Sequence, residues 1–351
     1  MNGRHITEAT ATRGIAIIGV VVIHSTAAAA SNATFGWNNQ LVYLIINKMA
    51  SFAVPAFILL SGFVLCFRNA KFATKQELLS FYMNRGKYLL IPYFLWSLAY
   101  HFYHNFGVNE SFFVWLKIYL TDLYSGAASY HLYFVPLIAQ YYLITPAIIG
   151  LLHFLRNQKI GNVFLILLAL AAFIQIMSGI GNQTFHWVED KSIWASTYLL
   201  CFVLGCCLGR YYEPYSIWIK QKRSILYGIT LVLLILHIEK YLLLFSGWKL
   251  YWLFSELLIQ AYCIFATLSL IEAAKGLARL SIIPQTLFYL GKYSLFIYFF
   301  HPFVLVFCDR IFISFPELSV IVLSTLLRLA VPLAFGVMIK KWHWSWILLG
   351  K

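Results

Sequence analysis

Charged side chains are scarce in this 351-residue sequence, in which Asp, Glu, Lys and Arg together make up only 11%. Acidic residues are the scarcest, with 12 Asp and Glu against 26 Lys and Arg, and the net charge is +14. Hydrophobic residues make up 62%. Soluble domains carry about 25% charged residues, so the composition excludes a soluble globular protein and indicates a multi-pass membrane protein.

Cysteine is also scarce, and its spacing argues against both a disulfide framework and a metal site. The six cysteines lie inside apolar segments, and none has the CxxC spacing of metal or redox motifs. They are predicted to be small apolar core residues, which leaves neither a disulfide framework nor a metal cofactor. They are Cys66, Cys201, Cys206, Cys207, Cys263 and Cys308.

Long apolar segments recur along the whole chain. At about 20 residues per membrane-spanning helix, ten segments are predicted, near residues 11–30, 42–67, 88–106, 132–154, 162–180, 193–210, 224–245, 251–271, 292–312 and 318–339. Their apolar runs are continuous, whereas the strands of a membrane β-barrel alternate. The predicted fold is therefore all-α, with about ten transmembrane helices in a single integral-membrane domain, residues 1–351, and no appended soluble domain.

Basic residues collect at alternate ends of these segments. With the N-terminus inside, most Lys and Arg lie at cytoplasmic ends, and the external ends hold only Lys48, Lys117, Lys191, Lys240, Lys249 and Arg310. This asymmetry predicts that both termini are cytoplasmic. The cations are spread over several loops that face anionic lipid, so a nucleic-acid partner is not expected.

The first segment also fits an alternative. Arg4 and Arg13, an apolar core and the small residues at 25–33 resemble a cleavable signal peptide. A histidine within the apolar core is unusual for such a peptide, and removal of this helix would reverse the parity of the topology. A retained first span is therefore the expectation.

Arg13 and His24 are the most informative pair in the sequence, because only apolar residues separate them. Eleven positions at about 100° each put both side chains on one helix face, roughly 16 Å apart along the axis. Ionisable groups at membrane depth are costly and are functional candidates by default. The structural alternative for His24 is a hydrogen bond to a neighbouring helix.

Polar residues at two further places have both a structural and a functional interpretation. Ser61 and Gly62, in the second segment, fit close helix packing or the lining of a tunnel. Arg85 and Lys87, before the third segment, fit contact with lipid headgroups. Together with Arg13 they also fit a basic collar for an anionic ligand.

The fourth and ninth segments carry further histidines. His131 opens the fourth segment among aromatic residues, as is typical of an interfacial belt. Ser294, Tyr298 and His301 follow an i, i+4, i+7 pattern that puts them on one face of the ninth segment. His301 is predicted at a depth comparable to that of His24, where it either bonds a neighbouring helix or takes part in chemistry.

Two more ionisable residues lie inside predicted segments, Glu256 in the eighth and Arg328 in the tenth. They fit an ion pair that holds two helices together. Arg328 also fits a place in the lining of a polar pathway.

The order of these elements resembles the acyltransferase-3 family of bacterial membrane O-acyltransferases. The matching elements are the R-x10-H spacing, the Ser-Gly stretch of the second segment, the basic run before Pro92, and the stretches 131–134 and 290–302. The resemblance covers nearly the whole chain. It implies that His24 is the essential catalytic histidine and that Arg13 is its essential partner.

The resemblance further implies an enzyme of the bacterial cytoplasmic membrane. Such an enzyme moves an acyl group, expected to be acetyl, from cytoplasmic acyl-CoA to a hydroxyl of a surface polysaccharide or lipid-linked sugar. Arg13, Arg85 and Lys87 would hold the donor phosphates. His24 would act as general base on the acceptor hydroxyl or would carry the acyl group transiently.

The other candidates would surround the reacting groups. Ser61, Tyr298 and His301 would line the tunnel or stabilise the oxyanion, and His131 would lie where the glycan enters. The rival class is a transporter or flippase for an anionic or polyprenyl-linked substrate, since the same cations would line its pathway. The acyl donor, the acceptor and the oligomeric state are not fixed by the sequence.

Two features depart from the family pattern. Tyr88 stands where the second arginine of an Arg-x-x-Arg pair is expected, and Lys87 is the nearest cation. Lysine does not replace arginine at a bidentate site, so the donor contact is the part of the site most affected. Some relatives also carry an external esterase-like domain, which no part of this sequence resembles.

Overall fold

The computed structural model describes residues 7–31, 39–69, 71–72, 74–106, 111–185, 191–277, 283–311 and 317–350. Within these ranges the chain is helical nearly throughout and contains no β-strand. The first eight α-helices are α1 (Thr7–Ser31), α2 (Asn39–Met49), α3 (Ala53–Arg68), α4 (Lys75–Arg85), α5 (Ile91–His104), α6 (Phe112–Ser125), α7 (Phe134–Phe154) and α8 (Ile160–Phe185). The other eight are α9 (Leu199–Arg210), α10 (Tyr212–Gln221), α11 (Arg223–Phe245), α12 (Trp252–Leu277), α13 (Ile283–Lys292), α14 (Ser294–Ile311), α15 (Glu317–Ile339) and α16 (Trp346–Leu349).

Seven described helices, counting continuous helical stretches as one, are long and apolar enough to cross a membrane. They are Thr7–Ser31, Gln40–Arg68, Phe134–Asn157, Ile160–Thr184, Arg223–Phe245, Trp252–Leu277 and Leu318–Ile339. The pair α13 and α14 is apolar and long enough only when taken together, and its bend of 81° fits either a broken span or a re-entrant loop. The all-α, multi-pass prediction is confirmed, whereas the count of about ten and the cytoplasmic termini are not confirmed.

Two of the predicted spans, 88–106 and 193–210, coincide with helices that are not among these seven. The helix α5 follows α4 without a break through the turn Gly86–Leu90, and α9 belongs to the shorter apolar stretch Ala195–Arg210. These two predicted spans are therefore not confirmed.

The chain divides into two compact units. Unit 1 comprises Met1–Leu60 and Tyr212–Val337, and unit 2 comprises Ser61–Tyr211 and Met338–Lys351. The first boundary falls inside α3. Unit 1 thus holds α1, α2 and α10 to α14 with most of α15, and unit 2 holds α4 to α9 and α16.

In unit 1, α1 packs along α13 through two glycines. A Cβ atom on Gly14 would overlap the carbonyl oxygen of Leu287, and one on Gly291 would overlap that of Thr10. Helices in a membrane associate largely through such close packing, because lipid tails are as apolar as the helix surfaces. The two glycines therefore fix α1 against α13 next to Arg13.

The helix α2 fixes α1 further along. The side-chain amide of Asn47 donates to the carbonyl oxygen of Ile23 at 2.9 Å and to Oγ1 of Thr26 at 3.0 Å. Thr26 in turn donates to the carbonyl oxygen of Val22 at 2.8 Å. Hydrogen bonds of this kind hold helices together in an apolar medium. They flank His24 on both sides along the chain.

In unit 2, α3 and α9 meet at a second pair of glycines. A Cβ atom on Gly62 would overlap the carbonyl oxygen of Phe202, and one on Gly209 would overlap that of Phe63. Close helix packing therefore accounts for Gly62 of the Ser-Gly stretch. The neighbouring Ser61 is half-buried.

The aromatic connection predicted near residues 107–130 contains α6, which pairs with α5. His101 Nδ1 and Asp122 Oδ2 lie 2.8 Å apart, and the Tyr119 hydroxyl donates to the carbonyl oxygen of Phe94 at 3.1 Å. The opposite face of α6 is exposed and borders an open groove of about 480 Å³ that includes Lys117. Its predicted place at the membrane interface stays a prediction.

The α1–α13 contact makes Gly291 intolerant of a side chain. We expect Gly291→Ala to lower the apparent melting temperature of the purified protein by several degrees, since forcing atoms into a packed contact costs about 1–3 kcal/mol. The matched control is Gly228→Ala in α11, where a Cβ atom would meet nothing within 4 Å. Equal melting temperatures for the two variants would contradict the packing argument.

Candidate active site

Unit 1 brings His24 of α1 and His301 of α14 into contact. Their ring centroids lie 5.3 Å apart, with the ring planes inclined at 30°. His301 is fully buried and His24 is half-buried. The contact agrees with the comparable depth that the sequence predicts for the two histidines, and it pairs two imidazoles inside one helix bundle.

The hydrogen bonds of His301 fix its tautomer. Its Nδ1 lies 2.8 Å from the carbonyl oxygen of Tyr298 and 3.1 Å from that of Ile297. A carbonyl oxygen only accepts, so Nδ1 carries the proton and donates it. In the neutral ring the lone pair is then on Nε2.

Pro302 explains why the Tyr298 carbonyl is open to His301. Proline has no N–H, so the carbonyl four residues earlier in α14 loses its helical partner. In a membrane an unsatisfied backbone group costs several kcal/mol. His301 Nδ1 supplies the missing donor, and the His-Pro dipeptide thereby selects Nε2 as the basic nitrogen.

A buried arginine adjoins the two histidines. Arg328 of α15 is 0% exposed, and its Nη1 donates to Oγ of Ser25, the residue after His24, at 2.9 Å. Among the described residues the predicted ion pair of Arg328 with Glu256 is not present, and the Glu256 carboxylate accepts from Gln260 Nε2 at 3.2 Å. The alternative of a lining role therefore fits Arg328. Sequence reasoning listed this residue but did not place it beside His24.

Arg13 shares α1 with His24. The helix runs from Thr7 to Ser31 without a break. At about 1.5 Å per residue, the two side chains are separated by roughly 16 Å along the axis. Arg13 is half-buried and lies next to the glycine contact with α13. The predicted one-helix arrangement of the pair is confirmed.

A polar network that the sequence did not indicate lies at the Arg13 end of α1. The hydroxyl of Tyr212 donates to the carboxylate of Glu8. Burial raises the pKa of Tyr212, so the hydroxyl keeps its proton and remains the donor. Lys275 pairs with Glu272 at 3.1 Å and donates to Ser216 at 3.1 Å. The network ties α1 and α12 to α10.

In unit 2, Arg85 lies between two aromatic rings. Its guanidinium carbon is 5.1 Å from the ring centroid of Tyr142 and 5.4 Å from that of Phe81. Within the described ranges its buried Nε makes no hydrogen bond. Stacking of this kind orients a guanidinium and leaves its N–H groups to a ligand in the ring plane.

Lys87 contacts a different neighbour from Arg85. Its Nζ lies 4.5 Å above the ring of Trp346 and 5.3 Å from that of Tyr88, and its side chain is exposed. The residues Gly86–Leu90 form a π-helical turn, in which Ile91 N–H bonds the carbonyl oxygen of Gly86. Lys87 and Arg85 therefore pack against different aromatic side chains, and the substitution of Lys87 for the missing arginine stays a prediction.

His131 of unit 2 is buried among aromatic and hydroxyl side chains, and its predicted place at the membrane interface stays a prediction. It is 1% exposed, and its Nδ1 lies 3.1 Å from Oγ of Ser129. The ring of Tyr100 meets it edge-on at 5.1 Å. This histidine and Ser61 belong to unit 2, whereas Arg13 and Tyr298 belong to unit 1.

An all-α, multi-pass bundle with two contacting histidines and a buried arginine has the features of a membrane-embedded enzyme. The family model described as an acyltransferase domain, that of the acyltransferase-3 family, matches residues 7–337. The chain belongs to this family, as its motifs predict, and carries a membrane acyltransferase domain. No curated protein and no solved structure matches the chain.

The role of Pro302 is testable by nitrogen-15 NMR of protein labelled at histidine. In Pro302→Ala the new N–H competes for the Tyr298 carbonyl, so we expect His301 to change from the Nδ1–H tautomer to a mixture. Pro146→Ala, in α7, also restores a helical N–H but belongs to unit 2, whereas His301 belongs to unit 1. An unchanged His301 tautomer in Pro302→Ala would show that proline does not select it.

Proposed function

We propose that this protein transfers an acyl group, expected to be acetyl, from acyl-CoA to a hydroxyl of a cell-surface glycan or lipid-linked sugar. The proposal rests on the contact of His24 with His301 beside the buried Arg328, inside a chain of the acyltransferase-3 family. The enzyme would work in the bacterial cytoplasmic membrane, with both termini and the donor on the cytoplasmic side.

His24 is the proposed general base. It takes the proton of the acceptor hydroxyl as that oxygen attacks the thioester carbonyl carbon. The carbon–sulfur bond then breaks, and the coenzyme A thiolate leaves and receives the proton. Transfer in two steps through an acyl-histidine is the variant of this mechanism in which the His24 nitrogen attacks first.

Arg328 and His301 support this step in different ways. Arg328 is held by Ser25 and places a fixed positive charge next to His24, where negative charge develops on the thioester oxygen. His301 presents a ring that is protonated at Nδ1 against His24. Tyr298 lies on the same helix face, with its ring centroid 6.4 Å from that of His301, and would line the site.

The donor and acceptor contacts are proposed from the chemistry of the side chains. Arg13 and Arg85 offer guanidinium groups, and Lys87 an ammonium group, to the phosphates of coenzyme A. Ser61 would line the tunnel or stabilise the oxyanion, and His131 would lie where the glycan enters. A transporter or flippase would need the same cations, but no feature of the described residues favours transport over transfer.

The role of His24 is tested by His24→Ala. We expect the ester groups that the wild-type protein adds to cell-envelope glycans to disappear, with loss of activity of at least a hundredfold, since general-base catalysis contributes about 10²–10⁴. Mass spectrometry of the glycans from cells with and without the protein gives the readout. His343→Ala, at an exposed histidine, should keep full activity. Full activity of His24→Ala in folded membrane protein would refute the mechanism.

Arg85 is tested through the donor. In Arg85→Gln the KM for acetyl-CoA should rise about tenfold or more, because a charge-assisted bond to phosphate is lost. If that phosphate is the 3′-phosphate, the variant will no longer distinguish acetyl-CoA from acetyl-dephospho-CoA. Arg156→Gln, at an exposed arginine of the same unit, is the control. An unchanged KM in Arg85→Gln would remove this residue from the donor site.

A further inference from the structure

A second group of ionisable side chains lies inside unit 1, between α2, α11 and α12. The Nζ atoms of Lys48 and Lys240 lie 4.5 Å and 4.4 Å from the ring centroid of Tyr241. The two ammonium groups are therefore at most about 9 Å apart, a range over which charges interact in about 0.1 M salt. Lys240 is buried, whereas Lys48 and Tyr241 are half-buried.

No described residue forms an ion pair with either of these two cations. In the part of the chain that the structure describes, neither ammonium has a carboxylate at ion-pair distance. Glu256 acts on Lys240 only over a longer range, and its carboxylate accepts from Gln260. Buried charges are costly unless an opposite charge offsets them. One carboxylate near two lysines leaves a positive charge that a bound anion would neutralise.

Aromatic and polar side chains surround the lysines. The buried ring of His237 stacks on Tyr262 at 4.8 Å and meets Tyr241 edge-on at 5.2 Å. His237 Nε2 lies 3.4 Å from Oγ of Ser51. Binding sites for small molecules typically combine aromatic walls with a few well-placed polar groups. The arrangement therefore suits a polar, anionic ligand better than a hydrocarbon chain.

The helix α2 relates this group to His24. Asn47 bonds α1 at Ile23 and at Thr26, so it lies at the depth of His24. Lys48 is the next residue, about 100° further around α2, and contacts α11 instead. The lysines are thus at the depth of His24 with α2 in between, about one helix diameter of roughly 10 Å away.

The position of Lys48 and Lys240 helps to decide which substrate carries the anion that they bind. The coenzyme A phosphates are assigned to Arg13, roughly 16 Å from His24 along α1. A carboxylate at the end of a short acyl chain would have to pass around α2 to reach Lys48 or Lys240. A charged group on the acceptor, one sugar away from the acylated hydroxyl, has the greater reach that a path around α2 requires.

We propose that Lys48, Tyr241 and Lys240 bind a carboxylate or phosphate group of the acyl acceptor. The acceptor is then an anionic glycan, or a sugar attached to phosphate, rather than a neutral polysaccharide. This inference rests on the proposed acyl transfer, whose acceptor it specifies, but the anion site itself can be measured without any transfer.

The test measures binding to the full-length protein in nanodiscs made only of phosphatidylcholine. A ligand that binds the folded protein raises its apparent melting temperature in a saturable way. We expect glucuronate and inorganic phosphate to do so and glucose not to. The double variant Lys48→Met, Lys240→Met keeps long side chains and should bind both anions at least about tenfold more weakly. Lys249→Met, at an exposed lysine beyond α11, should bind as the wild type does.

Two results would overturn the proposal. One is unchanged binding of glucuronate and phosphate by the double variant, or by Lys48→Met alone should the double variant not fold. The other is loss of the glucuronate effect when phosphatidylglycerol is added to the nanodiscs, which would assign the lysines to lipid headgroups. Failure of acyl transfer leaves both measurements intact, so the two proposals fail separately.

Discussion

The backbone contact between α1 and α13 positions the chemistry of unit 1. Gly14 and Gly291 let the two helices touch, and α13 then turns by 81° into α14. The first helix of this pair carries His24, and the helix after the bend carries His301. A contact between the two rings therefore depends on both the close crossing and the bend. Side chains at either glycine would separate α1 from the element that delivers the second histidine.

A second constraint is that polar groups in an apolar bundle require partners. The bonds that satisfy them also fix the geometry of the candidate site. His301 satisfies the carbonyl that Pro302 leaves open, and in doing so it sets its own tautomer. Arg328 donates to Ser25 and is thereby held at the turn of His24. Stability and preorganisation for catalysis are thus achieved by the same hydrogen bonds.

The sequence predicted what depends on helical period and on motif order. The placement of Arg13 and His24 on one helix was predictable, because the 3.6-residue repeat depends only on positions along the chain and not on neighbouring helices. Contacts between helices were not predictable, since the bonds of Arg328 and Asn47 depend on how the helices pack. Seven of the ten predicted spans coincide with helices long and apolar enough to cross a membrane, and the segments that contain α5 and α9 are not among them. The asymmetry of basic residues placed Lys48 among the external cations. It gave no indication that Lys48 and Lys240 both contact the ring of Tyr241.

The charges around His24 suit a reaction whose transition state is more negative than its substrates. A thioester carbonyl and a sugar hydroxyl are neutral before they react, and an oxyanion forms between them. A fixed guanidinium such as Arg328 therefore favours the transition state over the ground state, which is the condition for catalysis. In the proposed roles, Arg13 and the Lys48–Lys240 pair bind phosphate or carboxylate groups that are already present, and they would raise affinity instead. Their distance from His24 would let them hold charged substrates without neutralising the cation at the reacting centre.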